Sequence, residues 1–281
     1  MGISIAPISA EFGSDFGIIN INTEFDEGLA YGLEKLLGTM FGYYHYRKVV
    51  LRVNSQGGSL LALTDITDGL EQWRQKGREI HTEASFRAGS AGALLLSLGH
   101  VGTRTVNRYT AIQYHHSRVG GTAPVLTAGS ADLLAETMRR IDAKLIAGLV
   151  THIVSGFGDV PDWVDEALAR CELMFMATAA IENELDLDKS SKSHKWLPGV
   201  QRMFEECRLR GTTSAYQRYL AKRFSADTGM DLREAYCLVL IDRIKLVPSL
   251  EPFACLAKTD RAGIRCVNES GGMVSPRAKA I

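Results

Sequence analysis

Three short stretches of this sequence hold residue types that together could carry out acyl transfer. Gly89-Ser90-Ala91-Gly92-Ala93 offers a hydroxyl among small neighbours, which leave room beside it for a substrate carbonyl. Ile112-Gln113-Tyr114-His115-His116 ends an apolar run on two imidazoles, with His115 lying 25 positions after Ser90. Asn54-Ser55-Gln56-Gly57-Gly58-Ser59 adds a diglycine, where backbone can approach a ligand because no Cβ intervenes. A nucleophile, a base and free amides for an oxyanion are what acyl transfer requires. Ser90 would attack and a histidine would take its proton. The amides of Gly58 and Ala91 would face the developing negative oxygen. Each stretch also has a plainer use: Ser90 as a helix N-cap, the glycines as a turn, the histidines as polar strand ends. Adjacent side chains on a strand point to opposite faces, so only one of His115 and His116 can face Ser90.

The elements that must position these residues follow from hydrophobic spacing. Strands are predicted over Phe16–Asn22, Lys48–Asn54, Glu79–Ala84 and Tyr109–His115, and helices over Asp26–Gly38 and Leu60–Gln75. The apolar run after Ser90 reads as a helix ending at Gly99. Strands alternating with helices predict an α/β domain with a mostly parallel sheet. Ala131–Val154 repeats apolar residues at helical spacing (Leu134, Met138, Ile141, Leu145, Leu149, Ile153), and its length predicts a projecting arm. Phe175–Asp188 reads as a helix and a short strand. A polar linker at Lys189–Ser193 opens a helical extension over 189–256, with Asp231 as an N-cap and Glu234 three residues on. Residues 257–281, rich in Gly, Lys, Arg and Ser, read as a loose tail.

Composition narrows the class. With 46% apolar and 23% charged residues and a formal net charge of zero, the chain has no electrostatic footprint for nucleic acid or an anionic membrane. No run reaches the roughly 20 apolar residues of a spanning helix, and Met1–Asp15 lacks the pattern of a secretory signal. Five dispersed cysteines without a C-x-x-C pair predict reduced thiols, no metal site and a cytoplasmic protein.

The motifs, in this order, resemble the Clp protease proteolytic subunit within the Clp/crotonase fold, over about Phe16–Asp188. Asn54-Ser55-Gln56-Gly57-Gly58-Ser59 is similar to the family's N-S-P-G-G-S, with Gln56 in place of proline. Gly89-Ser90-Ala91-Gly92-Ala93 is similar to its A-S-M-G-A, and Gly99–Arg104 parallels its G-A-K-G-K-R. The family's serine-to-histidine spacing is kept without a gap, which selects His115 over His116. The resemblance implies repeated ββα units with an arm helix, and a Ser-His-acid triad that needs no cofactor. It also implies substrate strands paired along Gly57, Ser59, Leu60 and the Gly120-Gly121 pair. For the acid, the family has Asp in D-x-F-M-T-A-E-E-A; aligning Phe175 with its aromatic puts Leu173 there, with Glu172 one position earlier. Glu172 is the first candidate, and Asp165 and Glu166 are alternatives. The expected substrate is a peptide or unfolded protein, and the expected assembly is a homo-oligomeric ring working with a separate ATPase. Two other readings use the same fold: a catalytically silent ring or binding component, and a crotonase-type acyl-CoA enzyme. A membrane signal-peptide peptidase of the same clan would use a lysine base and a membrane segment.

Overall fold

The computed structural model describes residues 8–117, 127–176 and 195–245. A sheet runs in the order β1 (Ile8–Phe12), β2 (Phe16–Ile21), β3 (Lys48–Ser55), β4 (Glu79–Gly89), β5 (Thr105–Asn107) and β7 (Arg243–Lys245). β6 (Ala111–Gln113) pairs with the far end of β4. Only the β1–β2 pair is antiparallel. β4 is the hinge of this arrangement, for it is 11 residues long and reaches Gly89, five beyond the predicted end at Ala84. Its first half holds β5 through Glu83 and Ala84, and its second half holds β6 through Arg87, Ala88 and Gly89. The nucleophile candidate and the histidine strand therefore start from neighbouring, registered backbone.

One sheet face is covered by α1 (Glu27–Leu37) and α2 (Leu60–Gln75). Alternate residues of β3, Val49, Leu51 and Val53, share a core there with Leu29, Leu33, Leu63 and Ile66. Asp26 caps α1 by accepting from the Leu29 amide at 2.7 Å, and Ser59 caps α2. The other core packs α3 (Ala91–Ser97), α4 (Ala128–Ser155) and α5 (Val160–Met176) together with α6 (Leu197–Arg210), α7 (Ser214–Ser225) and α8 (Leu232–Cys237). α4 is exposed along most of its first half and has its buried residues, Ile146, Leu149, Val150 and Ile153, only toward its C-terminal end, as an arm rooted there would.

The segment expected as an extension shares this second core, and its last strand, β7, joins the sheet beside β5. A buried ionic cluster fastens it. Asp242 Oδ2 accepts from the Arg104 side chain (2.7 Å) and from the amides of Gly102 (2.8 Å) and Arg104 (3.0 Å). Its Oδ1 accepts from Arg104 (2.7 Å) and Arg170 (3.2 Å). Against the cost of burial, the two guanidinium groups hold the Asp242 carboxyl well below the usual carboxylate range. Asp231 caps α8 as expected, but Glu234 turns away from the cap to pair with Arg223 at 2.8 Å. β7 and α5 are elements that spacing did not announce. The readings for 177–194 and 246–281, and the Gly120-Gly121 pair, lie outside the described residues.

Candidate active site

Ser90 sits at the turn from β4 into α3 with φ 51° and ψ −122°, a conformation that costs a non-glycine residue about 1–3 kcal/mol. Three hydrogen bonds hold the turn. The Ser90 amide donates to the Gln113 carbonyl (2.7 Å), and the Ser90 carbonyl accepts from the amides of Ala93 (3.0 Å) and Leu94 (3.1 Å). The Ser90 side chain makes no capping bond, so the plain N-cap use does not apply. Its hydroxyl is left for other work.

The diglycine is required by sterics. A Cβ at Gly57, where φ is +105°, would lie 2.4 Å from Ser90 Cβ. A Cβ at Gly58 would meet the Phe25 amide and carbonyl at 2.5 Å. Gly89 faces the same limit, with the Gln56 carbonyl 2.8 Å from where its Cβ would be. The Gly57 carbonyl accepts from Phe25, and the Ser59 amide donates back to the Phe25 carbonyl, which brackets Gly58. The Gly57 amide is taken by Ser55 Oγ at 3.0 Å. Among the described residues the amides of Gly58 and Ala91 have no hydrogen-bond acceptor.

His115 leaves β6 and faces the same cleft as Ser90, a space of about 510 Å³. Gln56, Gly57, Gly58, Ser59, Leu60 and Ala91 also line it, so every described residue expected at the site, apart from the acid, is brought together. His116 lines it as well, against the expectation from strand alternation, because β6 ends at Gln113 and both histidines lie beyond it. His115 Nδ1 lies 2.7 Å from the His116 carbonyl oxygen. A carbonyl can only accept, so Nδ1 carries the hydrogen and Nε2 of the neutral ring is the free acceptor. That is the tautomer a general base needs. Behind it Tyr114 is fully buried, bonded to Ser97 Oγ at 2.5 Å and stacked on Phe224 of α7 at 4.8 Å; burial pushes its hydroxyl up to about 12.

None of the three acids considered from the sequence lines this cleft. Glu172 is exposed on α5 and lines a separate depression with Asp165, which is paired to Arg208. Glu166 is committed to Arg170 at 2.7 Å. Two carboxylates do line the cleft, Glu24 and Asp142, and it is Asp142, on α4, that bonds the histidine segment. It accepts from the Ser117 amide (2.9 Å) and hydroxyl (2.6 Å) and lies 3.9 Å from His116 Nδ1. Its sequence signal was an acidic residue one turn from Met138 and Leu145 on the apolar stripe of the arm helix. Phe224 was also missed, since only the tertiary fold carries α7 to the cleft. No group of three or more His, Cys, Asp or Glu side chains suited to a metal ion occurs among the described residues, and Cys171, Cys207 and Cys237 are free thiols. No single described helix is long and apolar enough to cross a membrane.

A mixed sheet that delivers a strained serine at a strand-to-helix turn, beside a diglycine and a strand-end histidine, defines a class of α/β scaffold. Residues 14–182, more than half of the chain, match the Clp protease family model, and the chain belongs to that family. Membership supports a peptidase at the level of the family. No curated protein matches the chain.

Proposed function

We propose that the chain is a serine peptidase that hydrolyses peptide bonds of extended or unfolded polypeptides. The observation that carries this reading is the shared cleft of Ser90 and His115, with the free amides of Gly58 and Ala91 beside them. His115 Nε2 takes the proton as Ser90 Oγ bonds to the peptide carbonyl carbon. The carbonyl electrons move to oxygen, which the two amides hold at about 3 kcal/mol per donor. Collapse breaks the C–N bond while His115 returns the proton to the leaving amine. Water then enters by the same base and releases the acyl group. The chain Gly57–Leu60 would pair with substrate backbone, which makes cleavage weakly selective for sequence. This chemistry draws on no metal or organic cofactor. Large apolar side chains left exposed, among them Leu133 on α4 (69%) and Phe86 on β4 (77%), support assembly into a homo-oligomeric ring. A separate ATPase would then supply unfolded chains, in the cytoplasm.

A fluorogenic peptide and a fluorophosphonate label test this directly. The wild-type chain should turn over the peptide and take the label on Ser90, and Ser90→Ala should lose both. Equal inertness of the two proteins in every assembly state would overturn it. One observation favours a silent ring or binding component instead: Glu172, Asp165 and Glu166 all lie away from the cleft. That reading predicts peptide binding without release of products.

A further inference from the structure

We propose that Asp142 is the carboxylate that orients His115, acting through one peptide group and without touching the ring. The inference rests on the peptidase reading for its purpose, though its geometry stands apart from it. His115 Nδ1 donates to the His116 carbonyl at 2.7 Å. The amide hydrogen of that same peptide unit belongs to Ser117, and it donates to Asp142 Oδ1 at 2.9 Å. The relay therefore runs imidazole N–H to carbonyl, across a planar resonant C–N bond, and from amide N–H to carboxylate. The Ser117 hydroxyl adds a second, 2.6 Å bond to the same oxygen, and Oδ2 lies 3.9 Å from His116 Nδ1. Asp142 is thus a positioning residue held from the arm helix, with its side chain mostly buried (12% exposed).

Two effects follow. The peptide plane is rigid, so anchoring its amide edge fixes the direction of the carbonyl that the ring hangs from. A carboxylate on the amide also polarises the carbonyl, because hydrogen bonds in series strengthen one another. The carbonyl then holds the Nδ1–H tautomer and takes up part of the charge when Nε2 accepts the Ser90 proton. A carboxylate in direct contact would do the same work. Here the role passes through His116 and Ser117, which explains how the cleft can function with Glu172 on another surface.

The test reads the ring and the rate separately on the full-length chain. Histidine labelled with 15N reports which nitrogen of His115 is protonated. Wild type should show the Nδ1–H form. Asp142→Ala should shift His115 toward the Nε2–H form, whereas Asp142→Asn, which can still accept from Ser117, should largely keep Nδ1–H. In the peptide assay Asp142→Ala should lower kcat about 100-fold with KM within about twofold, the scale expected when a reacting group loses its placement. Asp142→Asn should recover about tenfold of that loss, and Ser117→Ala should lose less than about tenfold. Should Asp142→Ala fail to fold, Asp142→Asn and Ser117→Ala still decide the matter by the same two readouts. An unchanged tautomer in the folded variants, or an unchanged kcat in an active enzyme, overturns the relay. Loss of activity on Glu172→Gln with none on Asp142→Ala does so as well and leaves the peptidase standing. If Ser90 never takes the label, the peptidase reading fails, and the 15N spectrum still judges the relay.

Discussion

Ser90 and His115 share a cleft, yet the backbone that holds each is built differently. Ser90 ends an 11-residue strand flanked on both sides. Its strained turn is closed by three backbone hydrogen bonds and by two glycines that admit no side chain. His115 leaves a three-residue strand paired on one edge by β4 alone. On the other edge a single bridge, the Met230 amide to the Ile112 carbonyl at 2.9 Å, stands in for a strand. The rest of its support arrives from α4 through Asp142 and from α7 through Phe224. The nucleophile is held by its own neighbourhood. The base is held by parts of the chain remote in sequence, including a segment beyond residue 182 where the family match ends.

Unfastening that remote support should have the largest effect. Asp242→Ala leaves Arg104 and Arg170 buried without their shared carboxylate, a class of change that costs about 3–5 kcal/mol. Urea unfolding should show a loss of that size, and peptide turnover should fall because α7 and α8 no longer brace β6. Ser90 should keep its turn in any folded fraction, so label uptake per folded molecule should drop less than turnover. Equal drops would mean that the two sides are not separately supported.

The converse change strikes the serine side. Gly57→Ala places a Cβ 2.4 Å from Ser90 Cβ at a φ of +105°. Both the clash and the strain act at once, and a loss of about 3 kcal/mol is expected. Label uptake and turnover should fall together here, in contrast with Asp242→Ala. A Gly57→Ala protein with normal labelling kinetics would contradict the close approach of β3 and β4.

Acid should loosen the tie between the serine helix and the arm. His152 of α4 donates to the Gly99 carbonyl at 2.9 Å, just past α3. Burial, helped by the nearby Arg74 charge, lowers its pKa from 6.5 to about 4. A depressed imidazole stays neutral in the folded state while the unfolded chain takes up a proton. Stability is therefore full above about pH 6.5 and is lost as pH falls toward about 4, to a total of about 3 kcal/mol. The contribution of Asp242, whose folded carboxyl is also depressed, is retained above about 3.9 and lost only below it. Urea midpoints at pH 7.5 and 4.5, compared between wild type and a His152 variant, isolate its share, because His81, also lowered by burial, loses stability in the same direction over this window. His152→Gln, which keeps a donor for Gly99, should flatten the difference, and an unchanged slope would refute the assignment.

What could be read beforehand follows the same division. Leu60–Gln75 was legible to the residue, because a capping serine, a 3.6-residue apolar repeat and a following Lys-Gly pair are all local. The serine, histidine and diglycine were legible because each closes an apolar run with small or polar residues, and their shared cleft follows from the register of β4. Asp142 was not, since its partners lie 25 positions away across a change of direction. β7 was hidden for a similar reason: three residues have no periodicity of their own and become a strand only against Thr105–Asn107. α5 was not announced because Gly156, Gly158 and Pro161 interrupt the apolar spacing at its start, although a proline in the first helical turn is well tolerated. The acid at Glu172 was chosen by alignment to a motif, and motif alignment carries no information about which helix face meets the cleft.

The mildest prediction tests whether α7 supports the histidine or only fills space. Phe224 stacks on Tyr114 with ring planes 7° apart, and Tyr114 directly precedes His115. Phe224→Leu keeps an apolar side chain of similar bulk and removes the stack, which costs about 1 kcal/mol. If the stack holds Tyr114, its loss lets β6 tilt at the one place where the strand has no continuous neighbour on its outer edge. Turnover should then fall about threefold to tenfold, a small fraction of what misplacing a base outright would cost. Label uptake at Ser90 should slow less than turnover, because the fluorophosphonate needs His115 for one proton transfer while turnover needs it at each step, and the Ser90 turn itself is untouched. Stability lost without any change in rate would show that α7 is packing alone, and that β4 by itself suffices to hold the base.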